Sequence, residues 1–137
     1  MTAQPPRLFT LEEARAAIPT IEPLVRLAQQ KADEIQAMQM SRGRGSEETS
    51  HTNGHRPNTE QALAGDRDKA EQLLTELQRL IEQIHSHGCE MKDPLLGLLD
   101  FRSLREDRVV YLCWRLGEAT IEYWHELDTG YAGRQRL

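Results

Sequence analysis

The amino-acid sequence predicts an α+β fold, in which a long antiparallel helical hairpin packs with a small three- to four-stranded antiparallel meander at the C-terminus. Two observations predict this class. Over residues 11–87 the apolar residues recur at alternating spacings of three and four, which is the heptad pattern of one helix lying along another. Six of the seven aromatic residues lie beyond residue 100, in short segments whose composition is typical of β-strands.

The first helix is predicted to span residues 11–40. Thr10 and Glu13 match a capping box, in which each side chain accepts a hydrogen bond from the backbone N–H of the other residue. Pro19 and Pro23 lie inside the pattern and lack an amide hydrogen, so we expect a kink or a short break near residues 19–23. The apolar face of this helix comprises Leu11, Ala14, Ile18, Ile21, Val25, Ala28, Ala32 and Ile35.

A polar segment separates the two helices. Residues 41–59 are rich in Gly, Ser, Thr, Asn and charged side chains, which predicts a flexible loop at the tip of the hairpin. The second helix is predicted over residues 60–87, with Gly88 as its stop. Its apolar face comprises Ala70, Leu73, Leu77, Leu80, Ile81 and Ile84.

The meander is predicted over residues 89–127, with a C-terminal tail at 128–137. Three strand-like segments lie at 98–101, 109–114 and 119–124, and residues 89–91 could add a fourth strand. The stretch from 118 to 127 also fits a short helix, although a strand is favoured.

The middle of the meander predicts a hairpin. If Leu116 and Gly117 are the two turn residues, the alternation of side chains assigns the facing residues on the two strands. Cys113 then shares a face with Tyr111, Thr120, Glu122 and Trp124. The opposite face carries Val110, Leu112, Trp114, Ala119, Ile121, Tyr123 and His125. A change of one residue in register would exchange these sets.

Composition narrows the classes of function. A length of 137 residues predicts a single domain spanning 1–137. The net charge of -5 makes nucleic-acid binding an unfavoured function, since binding phosphates requires a basic surface. We expect no membrane association, because there is no long apolar run and no secretory signal. Two cysteines without close spacing predict reduced thiols in a cytoplasmic protein rather than a disulfide framework.

The chemistry-bearing residues are concentrated in the meander and the tail. A thiolate, an imidazole and carboxylates are donors that suit zinc or iron, so Cys113, Glu122 and His125 are the candidate metal ligands. The same groups could instead supply a nucleophile and a base, or Cys113 could simply be a small buried side chain. We expect Arg134 to pair with Asp100 or Glu118, and Asp93 to turn the chain before Pro94. The full set of candidate site residues is Asp93, Asp100, Cys113, Trp114, Glu118, Glu122, His125 and Arg134.

Two Glu-x-x-His motifs raise a further alternative. Glu82 with His85, and Glu122 with His125, match the spacing by which helical bundles hold two irons. This arrangement needs further helices that the sequence does not predict. On a strand, residues 122 and 125 point to opposite faces, so the di-iron interpretation is disfavoured.

Three stretches carry a resemblance to a known family. "MKDPLLGLLDF", "LCWRLGE" and "YWHELDTGYAGRQ", together with "LFTLEEARAAIP" near the start, resemble the uncharacterised bacterial domain of unknown function 2203 family. The resemblance implies a bacterial cytoplasmic protein and a common fold, and it assigns no activity.

The function favoured by the sequence is a non-catalytic interaction or regulatory module. Its heptad seam could close within the monomer, form a homodimer or recruit a partner helix, without a cofactor. The alternative is a metal-binding protein or a metal- or thiol-dependent enzyme, with zinc or iron bound on the meander.

Overall fold

The computed structural model describes the backbone of residues 7–48 and 59–137, and the side chains of residues 7–40, 65 and 67–137. The predicted α+β class is confirmed: two helices precede a five-stranded antiparallel sheet. The helices are α1 (Leu11–Glu48) and α2 (Thr59–Ser86). The strands are β1 (Glu90–Asp93), β2 (Leu98–Arg105), β3 (Arg108–Arg115), β4 (Tyr123–His125) and β5 (Gln135–Arg136), with a short 3-10 turn at Tyr131–Gly133.

Helix α1 begins with the capping box that the sequence predicts. The Thr10 N–H donates to Glu13 Oε1 at 2.9 Å, and the Glu13 N–H donates to Thr10 Oγ1 at 3.0 Å. Of the expected kink or short break near residues 19–23, the break is wrong, because the helix is continuous through Pro19 and Pro23. Both prolines are exposed, so water can reach the backbone carbonyls that lose their intrahelical partners.

The predicted end of the first helix at residue 40 is also wrong, because α1 continues to Glu48. The polar residues beyond 40 can extend a helix that the buried residues of its earlier turns already hold in place. The rest of the predicted flexible loop, residues 49–58, lies outside the described residues. Helix α2 occupies almost the span that the sequence predicts for the second helix.

The two helices run antiparallel. Lys31 in α1 forms a 2.9 Å ion pair with Glu76 in α2, whereas Gly88, just past the end of α2, lies beside Phe9, just before α1. Gly88 has a φ of +96°, a left-handed conformation that stops the helix and favours glycine. The hairpin thereby brings the start of α1 and the end of α2 to the sheet.

One face of the sheet completes the hydrophobic core with the helices. The heptad residues of α1 and α2 pack with the inward side chains of the strands. On β2 and β3 the inward pairs are Leu99 opposite Trp114, Phe101 opposite Leu112 and Ser103 opposite Val110. The opposite face therefore carries the intervening residues of each strand.

The sheet has the strand order β1-β2-β3-β4-β5, and every neighbouring pair is antiparallel. The segment near Cys89 does supply a strand, and the tail supplies the fifth as β5. The turn between β2 and β3 has only Glu106 and Asp107 between the paired Arg105 and Arg108.

The predicted faces of β3 are correct, but the predicted faces of β4 are wrong. Leu116 and Gly117 do form a turn, because the Glu118 N–H donates to the Arg115 carbonyl at 3.0 Å. The ladder does not continue from this turn, however, and Cys113 pairs with Tyr123 rather than with Thr120. This offset of three residues is odd, so every side chain of β4 lies on the face opposite to the predicted one.

The cause of the offset is the segment between β3 and β4. Ile121 leaves the ladder and is fully buried in the core. Its carbonyl accepts two hydrogen bonds from the Arg15 guanidinium of α1, at 2.8 and 3.1 Å. Contacts with a distant helix therefore replace the strand pairing that a two-residue hairpin would make.

Candidate metal centre

The corrected register brings three chemically active residues together on the sheet face opposite the helices. Asp100 in β2 pairs directly with Cys113 in β3. His125 in β4 pairs with Tyr111, two residues from Cys113 on the same face of β3. Three adjacent strands therefore present a carboxylate, a thiol and an imidazole at one point.

The three side chains form a compact and buried cluster. One ligand atom from each of Asp100, Cys113 and His125 lies within 4.8 Å of the other two. Their exposed fractions are 2%, 0% and 1%. His125 Nε2 lies 3.0 Å from both oxygens of the Asp100 carboxylate. A buried cluster of polar groups of this kind is costly unless its members satisfy one another or bind an ion.

The hydrogen bond of the other ring nitrogen, Nδ1, determines whether Nε2 of His125 can donate to Asp100. His125 Nδ1 lies 2.7 Å from the backbone carbonyl oxygen of Glu126. A carbonyl oxygen only accepts, so Nδ1 carries a hydrogen and donates to it. In a neutral imidazole Nε2 then has a lone pair, which would face a carboxylate. Either a proton or a metal cation must therefore lie between Nε2 and Asp100.

Burial favours the protonated thiol of Cys113 when no metal is bound. Burial, followed by the nearby Asp100 charge, raises the pKa of the Cys113 thiol far above its ordinary value. Burial also raises the pKa of Asp100, and its contacts with His125 and Cys113 offset this only in part. Both nitrogens of His125 are engaged by Asp100 and Glu126, so His125 is not placed to deprotonate Cys113. The metal-free cluster therefore lacks an activated thiol nucleophile.

The donor set fits a zinc-like cation. Zn²⁺ takes thiolate, imidazole and carboxylate ligands at about 2.0–2.3 Å, so tetrahedral ligand atoms lie about 3.3–3.8 Å apart. The observed limit of 4.8 Å requires side-chain shifts of only about 1 Å to reach that arrangement. The Nδ1–H donated to a backbone carbonyl is also the usual second contact of a metal-binding histidine, because it fixes the ring with Nε2 toward the metal.

A cavity of about 260 Å³ adjoins the cluster. Asp100 and His125 line it, together with Tyr111 and Lys92 of the neighbouring strands and the segment from Leu127 to Tyr131. The cluster is therefore buried in the sheet on one side and borders a small, partly open cavity on the other.

The remaining candidate residues lie outside the cluster. Glu122, predicted as a metal ligand, is in the segment that leaves the ladder, where its backbone carbonyl accepts from the Leu137 N–H. Trp114 is fully buried on the helix side of the sheet, and its Nε1–H donates to the Glu118 carbonyl at 3.0 Å. Asp93 turns the chain as expected, because its carboxylate accepts from the backbone N–H groups of Leu95 and Leu96.

Neither Glu-x-x-His motif forms a di-iron site. His85 Nε2 accepts from the Met91 N–H at 3.1 Å, which joins the end of α2 to β1. Glu122 lies in the segment before β4, whereas His125 lies in β4 and belongs to the cluster. The sequence placed Tyr111 on the face of Cys113 but did not predict Lys92 beside it, because the pairing of β1 with β2 brings Lys92 to the cavity.

The tail is tied to the sheet by Arg134. Its Nη2 donates to both oxygens of Glu118 at 2.7 Å, which is one of the two predicted pairings. The guanidinium also stacks 4.0 Å from the ring centre of Tyr123, and its side chain is only 12% exposed. Its buried Nε has no hydrogen-bond partner among the described residues.

We expect Arg134→Ala to destabilise the protein by about 2–3 kcal/mol, because it leaves the Glu118 carboxylate half-buried without its cation and removes the stack on Tyr123. Urea denaturation measures the effect. Arg136→Ala is the matched control, since Arg136 is an exposed residue of the same tail and should change stability by less than about 0.5 kcal/mol. Equal effects of the two substitutions would contradict the role given to Arg134.

Comparison with known proteins identifies the chain only at the level of a family. Neither the curated proteins nor the solved structures yielded a match. Within the part of the chain that the structure describes, no helix has the length and apolar character needed to cross a bilayer. A family model described as an uncharacterised conserved protein (DUF2203) matches residues 7–137, and the chain therefore belongs to the domain of unknown function 2203 family.

Proposed function

We propose that this protein binds one Zn²⁺ ion through Asp100, Cys113 and His125 and uses it as a catalytic type of metal centre. The observation that carries the proposal is the position of His125, whose Nδ1 donates to a carbonyl while its Nε2 faces a buried carboxylate and a thiol. This geometry calls for a proton or a cation between Nε2 and Asp100, and a metal cation there would also be within reach of the Cys113 thiolate.

The choice of metal follows from the ligands. A thiolate and an imidazole are softer donors than Mg²⁺ or Ca²⁺ prefers, whereas they suit Zn²⁺ and, next to it, Fe²⁺. The thiolate and the carboxylate together carry two negative charges, so the loaded centre is neutral. A neutral centre can remain buried in the sheet at less cost than a charged one.

The number of protein ligands indicates a catalytic zinc site rather than a structural one. Structural zinc sites have four protein ligands, whereas catalytic sites have three and leave one position for water or substrate. Within the described residues the cluster supplies three ligands, and two of these residues line the adjoining cavity. Metal-bound water at this position would be acidified and could act as a nucleophile.

A helical-hairpin interaction module remains a second candidate. Leu27 of α1 and Leu74 of α2 are 44% and 48% exposed, so the hairpin retains apolar side chains outside its own seam. The seam itself is buried within the chain, which leaves less of it for a partner helix. A homodimer on a sizing column at micromolar concentration, lost in Leu27→Glu, would support this use.

For either function we propose a cytoplasmic location, since Cys89 and Cys113 are free thiols.

Metal analysis of protein purified without a histidine tag tests the proposed function. We expect about one zinc per chain by plasma mass spectrometry, with a three-ligand site. His125→Gln should lose the metal while its amide can still donate to Asp100 and preserve the fold. His87→Ala is the matched control, because His87 lies outside the cluster, and it should retain the metal. Metal-free wild-type protein, or a His125→Gln variant that keeps its zinc, would refute the proposal.

A further inference from the structure

The cavity beside the cluster combines apolar walls with one cationic side chain. Leu98 and Leu127 line it together with Tyr111 and Tyr131, so most of its surface can contact a hydrocarbon group. Lys92 lines the same cavity, and its ammonium lies 4.6 Å from the centre of the Tyr111 ring. Among the described lining residues there is no arginine.

The charge of Lys92 is only partly neutralised by its neighbours. Its Nζ lies 2.9 Å from Glu90 Oε1, but the same Glu90 carboxylate also accepts from Arg102 Nε at 3.0 Å and from the Tyr111 hydroxyl at 3.2 Å. Two cations therefore share one carboxylate, and this group carries a net charge of about +1 beside the cavity. Asp128 is the opposing charge among the lining residues, and it is exposed on the 127–131 segment, where water screens it.

The metal adds a second attachment point for the same ligand. The loaded centre is neutral, because two anionic ligands balance Zn²⁺, but it keeps an open coordination position toward the cavity. An anion with a single negative charge could occupy the open coordination position and also neutralise the net positive charge of the Lys92 group. A phosphate dianion would exceed that charge, and phosphate sites usually rely on arginine or on backbone N–H groups at a helix N-terminus.

We propose that this cavity binds a small monocarboxylate with an apolar or aromatic body. Its carboxylate lies between the metal and the Lys92 ammonium, and its body lies between Tyr111, Tyr131 and the two leucines. The inference rests on the proposed metal site and adds the class of ligand to it. A volume of about 260 Å³ equals that of roughly nine water molecules at about 30 Å³ each, so the ligand is close to benzoate in size.

The test is a calorimetric titration of the zinc-loaded wild-type protein with benzoate, with benzamide as a neutral ligand of the same shape. We expect benzoate to bind and benzamide to bind at least about tenfold more weakly. In the cobalt-substituted protein, benzoate should also change the visible spectrum, because it coordinates the metal.

Variants of the two charged lining residues complete the test. Lys92→Met should weaken benzoate binding by about tenfold or more while the zinc content is unchanged. Asp128→Asn should bind benzoate at least as tightly as the wild type, since it removes a like charge. The inference is overturned if zinc-loaded protein does not bind benzoate, if Lys92→Met binds it equally well, or if inorganic phosphate binds more tightly. In each of these cases the measured zinc leaves the metal site standing, whereas a protein without metal would refute both proposals.

Discussion

Cys113→Ser is expected to abolish stoichiometric zinc binding, whereas Cys89→Ser is expected to leave it intact. Cys113 is the softest of the three donors, and a serine hydroxyl does not ionise to replace its thiolate. We expect the affinity for zinc to fall by at least about 100-fold. Serine is close to cysteine in size and would lie opposite Asp100 in the β2–β3 ladder, so the fold should be retained.

Cys89 is a close control because it shares the burial of Cys113 without its neighbours. It is 2% exposed, its thiol donates to the Ile84 carbonyl, and burial raises its pKa to about 12. The zinc content of both variants, measured after identical purification, tests whether Cys113 is a zinc ligand. Circular dichroism confirms that both variants are folded. Zinc retained by Cys113→Ser, or lost equally from both variants, would show that the thiol of Cys113 is not a ligand.

The second large effect is the dependence of zinc affinity on pH. The metal-free cluster holds one proton on Cys113, because burial raises the pKa of that thiol, and one proton between His125 and Asp100. Zinc requires the thiolate, the carboxylate and the neutral imidazole, so binding releases about two protons. Raising the pH favours that release. The dissociation constant should therefore fall as the pH rises, by about tenfold per pH unit for each proton released.

Calorimetry in buffers with different ionisation enthalpies counts these protons directly. The expected slope of heat against buffer enthalpy corresponds to about two protons per zinc. Cys113→Ser should release about one fewer, if its residual binding can be measured. A zinc affinity that does not change with pH would mean that the cluster is already deprotonated, contrary to the burial of Asp100 and Cys113.

The helices were predictable because their signals are local. The capping box of Thr10 and Glu13 and the heptad spacing of the apolar residues determine where α1 starts and which face it buries. The stop of α2 at Gly88 is likewise a property of one residue, whose left-handed backbone suits glycine.

The candidate site was predictable as a list of residues but not as an arrangement. Asp100, Cys113 and His125 were recognised from their chemistry. The predicted hairpin, however, placed Cys113 on the same sheet face as Glu122 and not on that of His125. The register was decided by Ile121 entering the core and by Arg15 binding its carbonyl, a contact between residues more than 100 positions apart. Strand alternation cannot reveal such a contact, and an odd offset is sufficient to exchange Glu122 for His125 in the cluster.

X-ray absorption spectroscopy at the zinc edge of the untagged protein tests the central claim most directly. A site formed by Asp100, Cys113 and His125 predicts one sulfur at about 2.3 Å and nitrogen or oxygen ligands at about 2.0–2.2 Å, including one imidazole. Cys89→Ser should keep this sulfur ligand, whereas Cys113→Ser should contain no stoichiometric zinc. A zinc shell without sulfur, or with more than one sulfur, would contradict the proposed site.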